Sequence, residues 1–334
     1  MCRRERPRLA GTKGRRRRNH EGRDMSVEET NASLQRVLDA LTTNDLRPPR
    51  SDVTPPDEFA KIDHLDAALR DARLELWYQP KIDIKQRCLA GAEALARIRH
   101  RERGVMLPAS FLPGVSEDVM ARLTEHALLT VLRDWTVFDD AGFNLRLAIN
   151  VPVNLLDRLP ISTIVTENRP AAEYWPGLIV EVTEDEIVRD IRRSQEIAAK
   201  LRVSGISVAI DDFGAGYSSF SSLRELSFAE LKLNSSFIKG CAGDPTSAAI
   251  CQTAIDLAHR FGSSAVAEGI ETVADLQAMQ IMGCDFGQGK LIAPPLPTKD
   301  FMALLQRHLN KARAPKAAPA APSAGQAPPA AASA

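Results

Sequence analysis

The run Val208-Ala-Ile210 is apolar and strand-like. It ends in two adjacent carboxylates, Asp211 and Asp212, followed by a glycine-punctuated loop, Phe213-Gly-Ala-Gly-Tyr217. Strict strand alternation sends neighbouring side chains to opposite faces, so both acids reach one site only if the strand stops here, as Gly214 and Gly216 suggest. A lone Asp-Asp pair says little. Its weight comes from recurrence, because other strand-like runs end in Glu93, Asn150, Glu181, Lys232, Glu268 and Gln288.

Strand patterns fall near 74–82, 89–97, 145–151, 178–184, 206–212, 228–234, 263–269 and 284–292. Strands of this number suit a closed barrel. Helical patterns between most of them, such as 187–203 and 247–261, argue for parallel pairing. The first two strands are an exception, since residues 84–88 are too few for a helical crossover and predict an antiparallel hairpin. The expected fold class is therefore α/β, a TIM-like (β/α)8 barrel with an antiparallel first strand. The roughly 250 residues of alternating pattern are a normal length for one. Active sites of such barrels gather at the carboxyl ends of the strands, where these polar residues would converge.

Charge separates the ends from the body. Residues 1–24 hold ten Lys or Arg against Glu5, Glu21 and Asp24, and the 334-residue chain is formally neutral, so the remainder is net negative by seven. The basic segment reads as a solvated, disordered arm, and Met25 offers a more ordinary start. Residues 25–56 comprise a short helix over 26–42, with Leu34, Val37, Leu38 and Leu41 at helical spacing, and a linker broken by Pro48, Pro49, Pro55 and Pro56. That helix suits docking onto the body, a second subunit or a protein partner. The barrel is expected over 57–310, opening with a helix near 57–72, and the Ala/Pro-rich, acid-free segment 311–334 is expected to be disordered. Five scattered cysteines without a metal spacing fit a reducing compartment. Neither the apolar stretch of a signal peptide nor a run of about 18 apolar residues is present, so a cytoplasmic protein without stable membrane association is expected.

Oxygen ligands without a nearby histidine favour a hard cation, magnesium or manganese, over zinc. Two like charges about 4 Å apart repel by roughly 4 kcal/mol at an effective dielectric of 20, so four or five clustered carboxylates need cations. Two divalent ions would also lower the pKa of a shared water and brace the attacking and leaving oxygens of a phosphoryl displacement. Taken singly, Glu93 or Glu268 reads as an ion-paired rim residue, Asn150 as a turn residue, Lys232 as a snorkelling side chain and Gln288 as a cap. Their recurrence on successive strands favours one shared site.

Glu93-Ala94-Leu95, with Arg97 two positions on, resembles the signature of the EAL domain family, whose active members hydrolyse cyclic di-GMP to the linear dinucleotide pGpG. The resemblance runs from about Leu74 to Pro297. It includes Tyr78-Gln79-Pro80, Glu181-Val-Thr-Glu184, Asp211-Asp-Phe-Gly-Ala-Gly-Tyr-Ser-Ser219, Leu231-Lys232, Ala267-Glu-Gly-Ile-Glu-Thr272 and Gln288-Gly289. It implies that Glu93, Asn150, Glu181 and Asp211 hold one metal, and that Asp211, Asp212 and Glu268 hold the second, with Mg2+ or Mn2+ as the ions. It further implies that Lys232 orients or activates the attacking water beside Gln288. Gln79, Leu95 and Arg97 would bind substrate, Arg97 through a phosphate that its planar fork suits. Glu184 would anchor the loop 213–219, which governs the second metal and a homodimer contact, and Glu271 would play a supporting part.

Three residues depart from the family pattern. Asn234 stands where the family has an aspartate, two residues after Lys232 and so on the same strand face, where losing the charge is expected to weaken catalysis rather than abolish it. Ser110 replaces a frequent acid, and Lys290 a frequent aromatic. The first 56 residues hold no cyclase signature and no room for a sensory domain, so a stand-alone domain is expected. The readings in competition are a metal-dependent phosphodiesterase, a weak or inactive cyclic di-GMP receptor acting through a protein partner, and an interaction module. The complete ligand set favours the first.

Overall fold

The computed structural model describes residues 61–214 and 226–313. The basic arm, the 26–42 helix, the Pro-rich linker, the loop segment 215–225 and residues 314–334 lie outside them. In chain order the elements are α1 (Lys61–Arg70), β1 (Leu74–Asp83), β2 (Cys88–His100), β3 (Gly104–Met106), α2 (Pro108–Phe111), α3 (Glu117–Asp140), β4 (Arg146–Asn150), α4 (Val153–Arg158) and α5 (Ile161–Asn168). They continue with β5 (Leu178–Thr183), α6 (Glu184–Arg189), α7 (Ile191–Val203), β6 (Ile206–Phe213), β7 (Glu230–Leu233), α8 (Ser235–Ile238) and α9 (Pro245–Arg260). The last are β8 (Ser264–Ala267), α10 (Val273–Ile281), β9 (Phe286–Gly287), β10 (Leu296–Pro297) and α11 (Thr298–Arg313).

Successive parallel pairs run from β2 through β4, β5, β6, β7 and β8 to β9, and β1 closes the ring by pairing antiparallel with both β2 and β9. The expected closed barrel with an antiparallel first strand is what forms. Two short strands not foreseen, β3 and β10, add to β2 and β1 outside the ring. The strands form because helices cover their outer face while the ring fills their inner one, so β5, Leu-Ile-Val-Glu-Val-Thr, is buried at every position except its last.

Local chemistry sets the helix ends. Asp244 accepts from the backbone N of Thr246 and Ser247 and Pro245 occupies the first turn, which starts α9. The helix expected over 187–203 is instead two, because Asp190 leaves helical geometry (φ −147°, ψ 81°) and caps α7 by accepting from Arg193 N at 3.1 Å. The strand expected over 284–292 shrinks to Phe286–Gly287. Among the described cysteines, Cys241, Cys251 and Cys284 are buried free thiols.

β1 shows how outer packing aims inner residues. The Tyr78 ring meets Phe138 of α3 edge-on at 5.1 Å and Phe301 of α11 at 5.5 Å, and its hydroxyl donates to Asp134 at 2.7 Å. With Tyr78 fixed outward, alternation turns Gln79 and Lys81 into the barrel. Lys81 pairs with Glu230 at 2.5 Å, both nearly inaccessible, at the amino-terminal end of the parallel strands. This neutral plug closes the end opposite the polar strand termini.

Removing one partner of a buried pair strands the other charge, so Lys81→Met is expected to lower unfolding free energy by about 3 kcal/mol or more, while Lys81→Met with Glu230→Leu recovers most of it. Urea denaturation of the three proteins measures this. A single-variant loss below about 1 kcal/mol would dismiss the plug as a stabilising contact.

Candidate active site

The carboxyl ends of the strands bring together most of the residues singled out in the sequence. Neighbouring registers set Asn150 opposite Glu181 and Thr183 opposite Asp211, while Gln79 lies across from Glu93 in the β1–β2 hairpin. The Lys232 ammonium stands at the centre, almost inaccessible, 2.6 Å from Glu181, 2.7 Å from Glu268, 3.1 Å from Asp211 and 3.4 Å from Glu93. Gln288 donates its amide to Glu93 at 2.5 Å and to Gln79 Oε1 at 3.1 Å, and Asn150 donates to the other Glu93 oxygen at 2.8 Å. Gln79 in turn donates to the Ala293 carbonyl at 3.3 Å.

Asp211 and Asp212 reach one site by a different route from the one expected. β6 does not stop: it continues to Phe213, and its ladder to β7 slips between Ile210 and Phe213. Asp212 sits in the left-handed region at φ 56°, a conformation aspartate tolerates better than most residues. The bulge cancels the alternation that would have parted the two acids. One carboxylate oxygen each from Asp211, Asp212 and Glu268 then lies within 4.8 Å of the others.

Asn234 also departs from expectation. β7 ends at Leu233, so the same-face rule no longer applies, and Asn234 becomes the cap of α8 (φ −57°, ψ 139°). Its amide nitrogen donates to Asp212 at 2.8 Å, and its oxygen accepts from Ser236 N. The Lys232 ammonium meets the four acids, and Asn234 turns to the fifth. Nothing in strand periodicity could have shown this, because the strand had already ended.

The remaining candidates surround the cluster. Glu184, buried at the start of α6, accepts from Gly214 N at 2.9 Å, so its hydrogen bond is to the loop backbone rather than to the other acids. Leu95 and Arg97 share the Glu93 face of β2. Arg97 is 7% exposed, lies 5.8 Å from the Trp77 ring, donates to its neighbour's carbonyl and leaves Nε without a partner among the described residues. Glu271 pairs with Lys239 at 3.2 Å and Lys290 at 3.7 Å.

The electrostatics are lopsided. Burial would strip Lys232 of its proton, but Glu181, Glu268, Glu93 and Asp211 together raise its pKa well above the ordinary value. Burial, then the neighbouring Glu93, raises Glu181 far above the usual carboxylate range. Burial likewise raises Asp211 and pushes Glu268 up to about 7, against the pull of Lys232. Glu93 goes the other way: burial pushes it up, but Lys232 and the amides of Gln288 and Asn150 outweigh that. One positive charge faces five acids, and the donors are all oxygens. Asp211, Asp212 and Glu268 therefore suit one hard divalent cation among the described residues.

Comparison with known proteins follows the same outline. A family model described as "EAL domain" matches residues 62–295. The cyclic di-GMP phosphodiesterase PA2567 of Pseudomonas aeruginosa is 36% identical over 236 residues, covering 70% of this chain and 40% of that protein. The cyclic di-GMP phosphodiesterase RocR of the same organism is 32% identical, over 81% of this chain and 70% of RocR. The structure of the PaMucR phosphodiesterase in complex with c-di-GMP superposes with a TM-score of 0.66 at 32% identity, over 72% of this chain and 98% of that one. No helix among the described residues is long and apolar enough to cross a membrane.

A cation must displace protons from raised carboxylates. Mn2+ affinity is therefore expected to climb as pH rises through about 7, where Glu268 ionises. The sign for stability is opposite: a carboxyl raised in the fold favours the protonated folded form, so the metal-free protein should lose melting temperature between about pH 5 and pH 8, and added Mn2+ should restore it most at the upper end. Melting curves with and without Mn2+ that run parallel across this range would rule the coupling out.

Proposed function

The chain belongs to the EAL domain family, and on that premise we propose that it hydrolyses cyclic di-GMP to linear pGpG, lowering a bacterial second messenger, with Mg2+ or Mn2+ as cofactor. The observation that carries this reading is the charge imbalance at the strand ends, five acids against the single ammonium of Lys232. The chain's likeness to the cyclic di-GMP phosphodiesterases PA2567 and RocR supports it.

Bound by Glu93, Asn150, Glu181 and Asp211 on one side and by Asp211, Asp212 and Glu268 on the other, two divalent cations would lower the pKa of water and offset charge on the phosphate oxygens. The rest falls to the chain. Lys232, drawn into the cluster by four acids, would orient or activate the attacking water. Gln288, held between Glu93 and Gln79, is placed to fix the same water. Arg97 offers a buried guanidinium with a free Nε to a phosphate, and Gln79 and Leu95 line the same mouth. The water oxygen bonds to phosphorus and the P–O3′ bond breaks, leaving a 5′-phosphate on one guanosine and a 3′-hydroxyl on the other. Preorganised charges around a water-poor site lower the barrier because they need no reorganisation as charge develops.

The barrel domain is taken as residues 57–310, and a homodimer formed through the loop after Asp212 belongs to the same proposal. Glu184 ties that loop at Gly214, the last residue described before it.

Purified protein with Mg2+ or Mn2+ should convert cyclic di-GMP to pGpG, followed by chromatography, and Glu93→Ala should lose at least about 100-fold in kcat/KM. Arg97→Ala should raise KM more than it lowers kcat. Tight binding of cyclic di-GMP without product would replace the hydrolase with a receptor acting through a partner.

A further inference from the structure

We infer that Asn234 is a positioning residue for the cation site bounded by Asp211, Asp212 and Glu268. The inference rests on the two-cation reading above. Asn234 lies where the two acid-bearing segments meet: its backbone N donates to Phe213 O at 3.3 Å, and Glu268 N donates to the preceding Leu233 O at 3.3 Å. Its side chain has two tasks, the Asp212 carboxylate through Nδ2 and the α8 N-terminus through Oδ1, each at 2.8 Å.

Helix α8 presses on both loops. A Cβ on Gly214 (φ +92°) would stand 2.7 Å from the Phe237 ring, and one on Gly269 (φ +68°) would stand 2.5 Å from Ser235 Cβ. Gly214 follows the Asp211–Asp212 bulge and Gly269 follows Glu268, so α8 is a wedge that fixes the distance between the acids on either side. Asn234 caps the wedge and grips Asp212 with the same amide. Among the described residues Asp212, exposed and left-handed, is otherwise held at its backbone, whose N donates to Asp211 Oδ1 at 2.9 Å.

The amide is the group that can do both tasks. An aspartate at 234 would still accept from Ser236 N, but its second oxygen would confront Asp212 as a like charge in place of a donor. Alanine would remove both contacts. The two substitutions therefore separate capping from grip and charge.

The test is a Mn2+ titration of the full chain, stripped with chelator, by calorimetry and by the EPR signal of free Mn2+. Wild type should show two classes of one Mn2+ each. Asn234→Ala should weaken one class by about tenfold or more, the usual loss when a partner of a metal ligand is removed, and leave the other within about twofold. Asn234→Asp, which keeps the cap but loses the donor to Asp212, should weaken the same class. A loss in one class shared by both variants supports the inference. Two classes that both variants leave unmoved, or a class that Asn234→Asp tightens, overturn it while sparing the two-cation reading. A single class in wild type overturns that reading and this inference with it.

Discussion

The Lys232 ammonium is the contact on which the site depends. It comes within 3.4 Å of carboxylates from four different strands or strand ends, Glu93, Glu181, Asp211 and Glu268, in a place with almost no access to water. Attraction to one central cation lets these acids approach, and it does not balance them. A hydrophobic residue at 232 would leave the acids to repel, and an arginine would bring a flat fork where four oxygens surround a point. A short-headed lysine ammonium satisfies the geometry.

Convergence of the acids needs the strands to end on one level, and at β6 that level is reached by breaking the ladder. The slip between Ile210 and Phe213 with Asp212 left-handed costs backbone strain, of order 1 to 3 kcal/mol for such a residue. The surroundings that hold it are visible: Asn234 on the Asp212 side chain, Asp211 on its backbone N, and Glu184 on Gly214 two residues later. Strain held in place by the cap of α8 and a side chain of α6 means that the outer acids are positioned by neighbouring elements as well as by their own segment.

Much of this was legible because strand ends are local features. An apolar run closing on Glu, Asn, Asp, Lys or Gln identifies itself in the chain, and barrel topology alone gathers such ends, so Glu93, Asn150, Glu181, Asp211, Lys232, Glu268 and Gln288 could be named before their distances were known. Failures came where a rule outlived its element. The same-face argument carried Asn234 to Lys232, yet β7 ends one residue earlier, and the turn into α8 re-aims the side chain at Asp212. Alternation demanded that β6 stop, and the chain chose a bulge. Helical periodicity ran unbroken through 187–203, and Asp190, a better cap than helix member, cut it.

The two ends of the barrel show why buried charge alone does not mark a site. At the amino-terminal end Lys81 and Glu230 match one to one, the short contact leaves neither needing more, and the pair serves to close the barrel. At the carboxyl end one lysine meets four acids with a fifth, Asp212, beside them, burial raises the proton affinity of three of the five, and Arg97 leaves Nε without a partner among the described residues. A fold can bury a neutral pair for structure. An excess of carboxylates costs more than a single ammonium returns. Under the proposed function a hard cation, and the phosphate it draws in, would complete the balance.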